Sequence, residues 1–159
     1  YTPANSQCNG DVSLCIKKYN EVAYLTTHNS FSSFENGFYL PNQNLNITSQ
    51  LNQGVRAFML DVYSEGDELV LYHGTPQLGY SLFSDVLYEF KTFIDVNPNE
   101  VVTLILEDYS SKYLLVREVQ IREPELLGFL QKNPKFAGTY DLVYARSSSI
   151  IRHTICDPI

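Results

Sequence analysis

The sequence predicts an α/β domain whose strands run mainly parallel, and three observations predict it. Apolar runs of strand length recur over the first two thirds of the chain, at residues 22–25, 55–62, 68–72 and 101–106. The run at 55–62 is apolar almost throughout, the pattern of a strand covered on both faces. Between the third and fourth runs, residues 81–96 place Leu82, Phe83, Val86, Leu87, Phe90, Phe93 and Ile94 at helical spacing, giving a strand, helix, strand order.

Taken in order, residues 1–10 read as a loop or frayed end, and Asp11 is a candidate cap for a short helix reaching about Tyr19, with Lys17 and Lys18 suited to its last turn. The first strand is predicted over 21–27, and residues 32–44, rich in Ser, Asn, Gly and Phe, form a loop over its exit. Thr48 is a candidate cap for a short helix through Asn52, with Gly54 as its stop. Ser64-Glu65-Gly66-Asp67 is turn chemistry, so the second and third strands form a hairpin, a local departure from βα alternation. Residues 74–80 are a loop, and Asn97-Pro98-Asn99 ends the long helix before the fourth strand. Beyond Tyr109 the pattern weakens: 113–116 is apolar between charges, 124–130 suggests a helix and 142–145 a short strand.

The four predicted strands finish on or beside ionisable residues: His28, Asp61, His73 and the pair Glu107-Asp108. A lone histidine there is best read as a hydrogen-bonded strand end. Four such endings in succession favour a site, because ligands of parallel α/β folds bind at the C-terminal ends of strands. The four are expected at one mouth. Arg56, early in its strand, reads as a packing or ion-pair residue, and His153 as a surface residue.

At 159 residues, 44% hydrophobic and 18% charged, the chain suits one domain with a real core. A formal charge of -7 without clustered Lys or Arg argues against a grip on nucleic acid and against charge-driven docking on anionic membranes. No run has the length of a transmembrane helix and no signal-peptide pattern opens the chain, while Tyr1 in place of Met suggests processing. Cys8 and Cys15 lie close together, apart from Cys156, and suit either a disulfide in an oxidising compartment or a pair of free thiols. Asn46-Ile47-Thr48 is a glycosylation acceptor triplet, of consequence in a secreted chain.

Five ordered blocks carry a family resemblance: Thr27-His28-Asn29-Ser30-Phe31; Gln50 to Arg56; Met59-Leu60-Asp61-Val62-Tyr63; His73-Gly74; and Asn97 to Tyr109. Together they resemble the X domain of phosphatidylinositol-specific phospholipase C, most of all the secreted type, over about Tyr19 to Tyr109. The resemblance implies a triosephosphate-isomerase-type (β/α) barrel. Such barrels take roughly 200 residues or more, so this chain reads as its first, incomplete part. Residues 1–20 then form an N-terminal segment with a disulfide, and 21–159 the X domain.

The resemblance also implies a phosphoric diester hydrolase acting on an inositol phospholipid or a related diester, with His28 as general base and His73 as general acid, by way of a cyclic phosphate. Histidine suits both roles because imidazole titrates near neutral pH. In metal-free relatives an arginine follows the aspartate by two positions, where this chain has Tyr63. In the calcium-dependent branch an asparagine after the base, an acidic pair and a strand-ending glutamate hold the metal. Asn29, Asp61 and Glu107 match, while Met59 replaces the first acid of the pair. The implied partners are a phospholipid substrate and a transient membrane surface, with no nucleic acid, secretion from the cell, and self-association through an exposed barrel edge. The alternative is a catalytically inactive binding module.

Overall fold

Strand β2, Ala57–Glu65, sends its side chains to two destinations in alternation. Phe58, Leu60 and Val62 are fully buried in the hydrophobic core, while Met59, Asp61 and Tyr63 take the other face. The computed structural model describes residues 7–110 and the strand segments Phe129–Lys132 and Thr139–Tyr144. Strand β5, Val102–Asp108, lies parallel to β2 with Phe58 opposite Leu104 and Asp61 opposite Glu107. Its Val102, Leu104 and Leu106 enter the same core, which leaves Ile105 and Glu107 on the face of Asp61.

Two helices close the core. Helix α1, Ile47–Asn52, buries Ile47 and Leu51, and helix α2, Phe83–Val96, buries Phe83, Val86, Leu87, Phe90 and Ile94 as one helical stripe. Phe90 meets Phe58 edge to face, ring centroids 4.8 Å apart. Glu89 of α2 accepts from the backbone N–H and hydroxyl of Thr48 on α1 at 3.1 and 2.6 Å.

The sheet is mixed. Strand β1, Thr26–Thr27, runs parallel to β2 at Ala57 and Phe58, and β3, Glu68–Leu71, pairs antiparallel with β2 farther along, after the turn at Gly66 (φ 64°). Strand β4, Ser81–Leu82, lies outside β3. On the other flank β7, Thr139–Tyr144, pairs antiparallel with β5, and β6, Phe129–Lys132, with β7. The order is β4-β3-β2-β5-β7-β6 with β1 beside β2, and among the described residues its two ends do not meet.

Several elements depart from the sequence reading. The run at 22–25 is no buried strand: Tyr24 folds back onto Tyr19, rings 4.9 Å apart, and its hydroxyl donates to the Tyr19 carbonyl at 3.3 Å, leaving Leu25 exposed and only two residues of strand. The helix expected from Asp11 is two 3-10 turns, Val12–Ile16 and Tyr19–Glu21, although Asp11 does cap the first through Ser13 N at 2.7 Å. A Cys8–Cys15 disulfide closes that segment. Its start is not frayed from residue 7 on, because Asn9 bonds both the N–H and the carbonyl of Val101, at 2.7 and 3.2 Å. Asn46, not Thr48, caps α1, since the Thr48 hydroxyl is given to Glu89. Helix α2 begins at Phe83 because Ser81 and Leu82 pair with β3.

Of the predicted helix at 124–130, Phe129 and Leu130 lie in β6, and the rest falls outside the described residues, as do 113–116, His153 and Cys156. The short strand at 142–145 is found as β7, beginning earlier, at Thr139. It pairs with β5 and so covers the edge that a four-strand reading leaves open.

Arg56 is structural, as expected. Its Nε lies 2.5 Å from Glu100, its Nη1 donates to the carbonyls of Leu51 and Val55 at 2.7 and 2.8 Å, and its guanidinium sits 4.8 Å above the Phe93 ring centroid. Because the pair is nearly buried, Arg56→Met strands the Glu100 charge and is expected to lower unfolding free energy by about 3 kcal/mol. The double variant Arg56→Met, Glu100→Met should lose less than the single one in urea denaturation, since no charge is left unpaired.

Candidate active site

The chain turns as soon as β1 ends. Asn29 takes φ 46°, a left-handed conformation that asparagine tolerates better than most residues, and Ser30 N reaches the Met59 carbonyl at 3.0 Å. His28 is thereby left exposed at the strand end, while Asn29 is buried beneath it.

Gln50 holds this turn from α1. Its Oε1 accepts from the Thr27 hydroxyl at 2.7 Å, and its Nε2 donates to the carbonyls of Ser30 and Leu45 at 2.8 and 2.7 Å. The side chain is buried, so these bonds replace all solvent contact. From the following loop, Gln43 Nε2 donates to the His28 carbonyl at 2.7 Å.

His73 leaves β3 toward the same place. Its Nδ1 lies 3.1 Å from Asp61 Oδ2 and 2.9 Å from Asn29 Nδ2, and its ring faces that of His28 edge-on, centroids 6.4 Å apart. One ring nitrogen cannot serve both neighbours at once. As N–H it donates to the Asp61 carboxylate, and bare it accepts from the Asn29 amide. In both states Nε2 is the nitrogen left for a ligand.

Asp61 is buried, and burial pushes its carboxyl above the ordinary 3.8; the hydrogen bond from His73 opposes this, the Glu107 charge adds to it, and the charges of His73 and His28 oppose it further. Glu107, beside Asp61 in the register, accepts from the Tyr109 hydroxyl at 2.8 Å. That bond is the main reason the Tyr109 phenol is pushed up to about 12, with burial and the Glu107 charge adding. Tyr63 is sandwiched between Tyr72 and Tyr109, centroids 3.9 and 4.7 Å away and planes within 12°.

The structure thus brings His28, Asn29, Asp61, His73 and Glu107 to one end of the sheet. Gln50, Gln43 and the Tyr63, Tyr72, Tyr109 stack were not singled out from the sequence. Gln50 had a signal, a polar residue inside the buried stripe Ile47, Gln50, Leu51.

Among the described residues no group of three or more His, Cys, Asp or Glu side chains forms a metal site. Of the oxygen set Asn29, Asp61 and Glu107, one atom bears on metal binding. Asn29 Oδ1 is buried without a hydrogen-bond partner, and turning the amide would only exchange it for an orphaned Nδ2. A buried amide oxygen without a partner is a hard ligand of the kind calcium takes.

Two outcomes follow from this geometry. Gln50→Leu strips the turn of three bonds and leaves the Ser30 carbonyl unsatisfied, so denaturation should show a loss of about 2 kcal/mol or more. For Asp61 the folded value lies above the unfolded one, so its contribution is whole below the unfolded value and is lost as the pH rises through the folded value. Asp61→Asn should therefore gain stability relative to the parent as the pH rises above 3.8, a trend read from thermal unfolding across a pH series without added cation.

Residues 14–118, well over half of the chain, match the family model described as PI-PLC X 1, which extends past the Tyr109 limit of the motifs at one end and into the N-terminal segment at the other. A PI-PLC X domain-containing protein of Arabidopsis thaliana is 36% identical over 104 residues, covering 57% of this chain and 24% of its own length. PI-PLC X domain-containing protein 1 of Arthroderma benhamiae is 31% identical over 101 residues, 62% of this chain and 32% of its own. An uncharacterized secreted protein of the same fungus is 26% identical over 106 residues, 65% and 24%. The chain therefore spans about a quarter to a third of the length of the curated relatives it matches. With a match of that extent, the chain belongs to the PI-PLC X domain family.

Proposed function

We propose that the chain carries the proton-transfer pair of a phosphoric diester hydrolase of the phosphatidylinositol-specific phospholipase C type. The observation that carries this reading is the fixing of His73 Nδ1 between Asp61 and Asn29, with His28 facing the ring across 6.4 Å. His28 takes the proton from a hydroxyl vicinal to the phosphodiester, and that oxygen attacks phosphorus. His73 gives a proton from Nε2 to the departing alkoxide as its P–O bond breaks, and the product is a cyclic diester. Asn29, Asp61 and Glu107 are the residues that would hold calcium, which when bound supplies positive charge against the phosphoryl oxygens.

The finer readings of fold and setting belong to the same proposal. Strands β1, β2 and β5 run parallel, with α1 between β1 and β2 and α2 between β3 and β5, which supports the first part of a triosephosphate-isomerase-type barrel. The disulfide and a relative named as secreted support export. Exposed Phe34, Tyr39 and Leu40, in the loop that follows His28, support contact with a lipid surface. Among the described residues no helix is long and apolar enough to cross a membrane.

The short span relative to its relatives keeps a second reading, a binding module without turnover. A soluble inositol phosphodiester separates the two. The chain, or a longer protein containing it, should form a cyclic phosphodiester seen by phosphorus NMR, with a bell-shaped pH dependence of kcat/KM. His28→Ala and His73→Ala should each cost about 10²-fold or more. Chelation should abolish turnover, and calcium should restore it better than magnesium, whose octahedral preference suits this irregular oxygen set poorly. A direct-hydrolysis product alone, with both variants fully active, overturns the mechanism. Binding of the diester without turnover decides for the module.

A further inference from the structure

The acceptor triplet Asn46-Ile47-Thr48 is the only one in the sequence, and the structure splits the duties of its asparagine. Asn46 Oδ1 caps α1 by accepting from Ser49 N at 2.8 Å. Among the described residues its Nδ2 has no hydrogen-bond partner, and it is not shut away from solvent. A glycan bonds to Nδ2 and leaves Oδ1 an amide oxygen, so the cap survives the modification.

We infer that Asn46 carries an N-linked glycan, added before the domain folds. In the transfer, Nδ2 forms a bond to C1 of an oligosaccharide carried on a lipid diphosphate. The bond from C1 to the diphosphate oxygen breaks, the lipid diphosphate leaves with the electron pair, and one Nδ2 proton passes to solvent. No oxidant or reductant takes part. The order of events follows from the fold, because in the folded chain Ile47 is fully buried, Thr48 lies inside α1 and its hydroxyl is bound to Glu89 at 2.6 Å. A transferase that must grip the extended triplet and its hydroxyl therefore meets it only in the unfolded chain. Helix α1 returns the chain from the loop after His28 to the start of β2, so the glycan stands at the same end of the sheet as the candidate site. The inference rests on export and is independent of catalysis.

The test is intact mass of the chain delivered by a fused signal peptide into the secretory compartment of a eukaryotic cell, before and after peptide N-glycosidase. The wild-type chain should carry a mass that the amidase removes. Thr48→Ser should keep it, and Thr48→Ala and Asn46→Asp should lack it. Asn46→Asp retains a capping oxygen, so its thermal midpoint should match that of the deglycosylated parent, which separates loss of the glycan from failure to fold. A wild-type chain with no removable mass overturns the site. Equal modification of folded and of reduced, unfolded chain by transferase and lipid-linked donor in vitro overturns the proposed order.

Discussion

The register between β2 and β5 is the constraint on which the rest depends. It sets Asp61 beside Glu107 on one face and, through the two-residue period, drives Phe58, Leu60, Val62, Val102, Leu104 and Leu106 into the core. A slip of one residue in either strand would turn a carboxylate toward α2 and expose leucines, at a cost far beyond the stability of a small domain. Burial of the apolar set therefore fixes the position of the acids. The site inherits its precision from the core and needs no separate device to align its two carboxylates.

That alignment works against the stability of the domain. Asp61 is costly to ionise, first because it is buried and further because the Glu107 charge lies beside it. The structure offsets the cost from two sides: His73 bonds Asp61, and the Tyr109 hydroxyl bonds Glu107. A site selected for stability alone would hold an amide in place of one acid.

Much of this arrangement was legible in the sequence. His28, Asp61, His73 and Glu107 stand out as ionisable residues closing apolar runs, a rule that holds for His73 and Glu107 at the ends of β3 and β5, whereas the run before His28 is no strand and β2 continues past Asp61 to Glu65. What failed was local competition. Tyr24 prefers stacking on Tyr19 to extending a strand, Asn46 outcompetes Thr48 as cap because Glu89 on another helix claims the threonine hydroxyl, and Ser81 pairs with β3 before it can start α2. Each depends on a neighbour remote in sequence or on a choice between two adequate local solutions. Gln50 was hidden for a related reason: its three partners, Thr27, Ser30 and Leu45, become one site only after β1 and α1 are packed together.

The two histidines are held in different ways, and the difference bears on how the pair would work. His73 is gripped through its ring, since Nδ1 contacts both Asp61 and Asn29, so its orientation and its proton position are linked. His28 is gripped through its backbone: Gln43 holds its carbonyl, the Asn29 turn and Gln50 hold the residues after it, and its side chain stands exposed. A fixed ring suits the group that must meet a leaving oxygen in one direction, because misplacement there costs rate directly. A base that takes a proton from a mobile hydroxyl gains from a ring free to turn until the substrate arrives, provided its anchor does not move. Gln50 and the left-handed Asn29 supply that anchor, which is why a strained residue and a buried amide lie next to this exposed histidine.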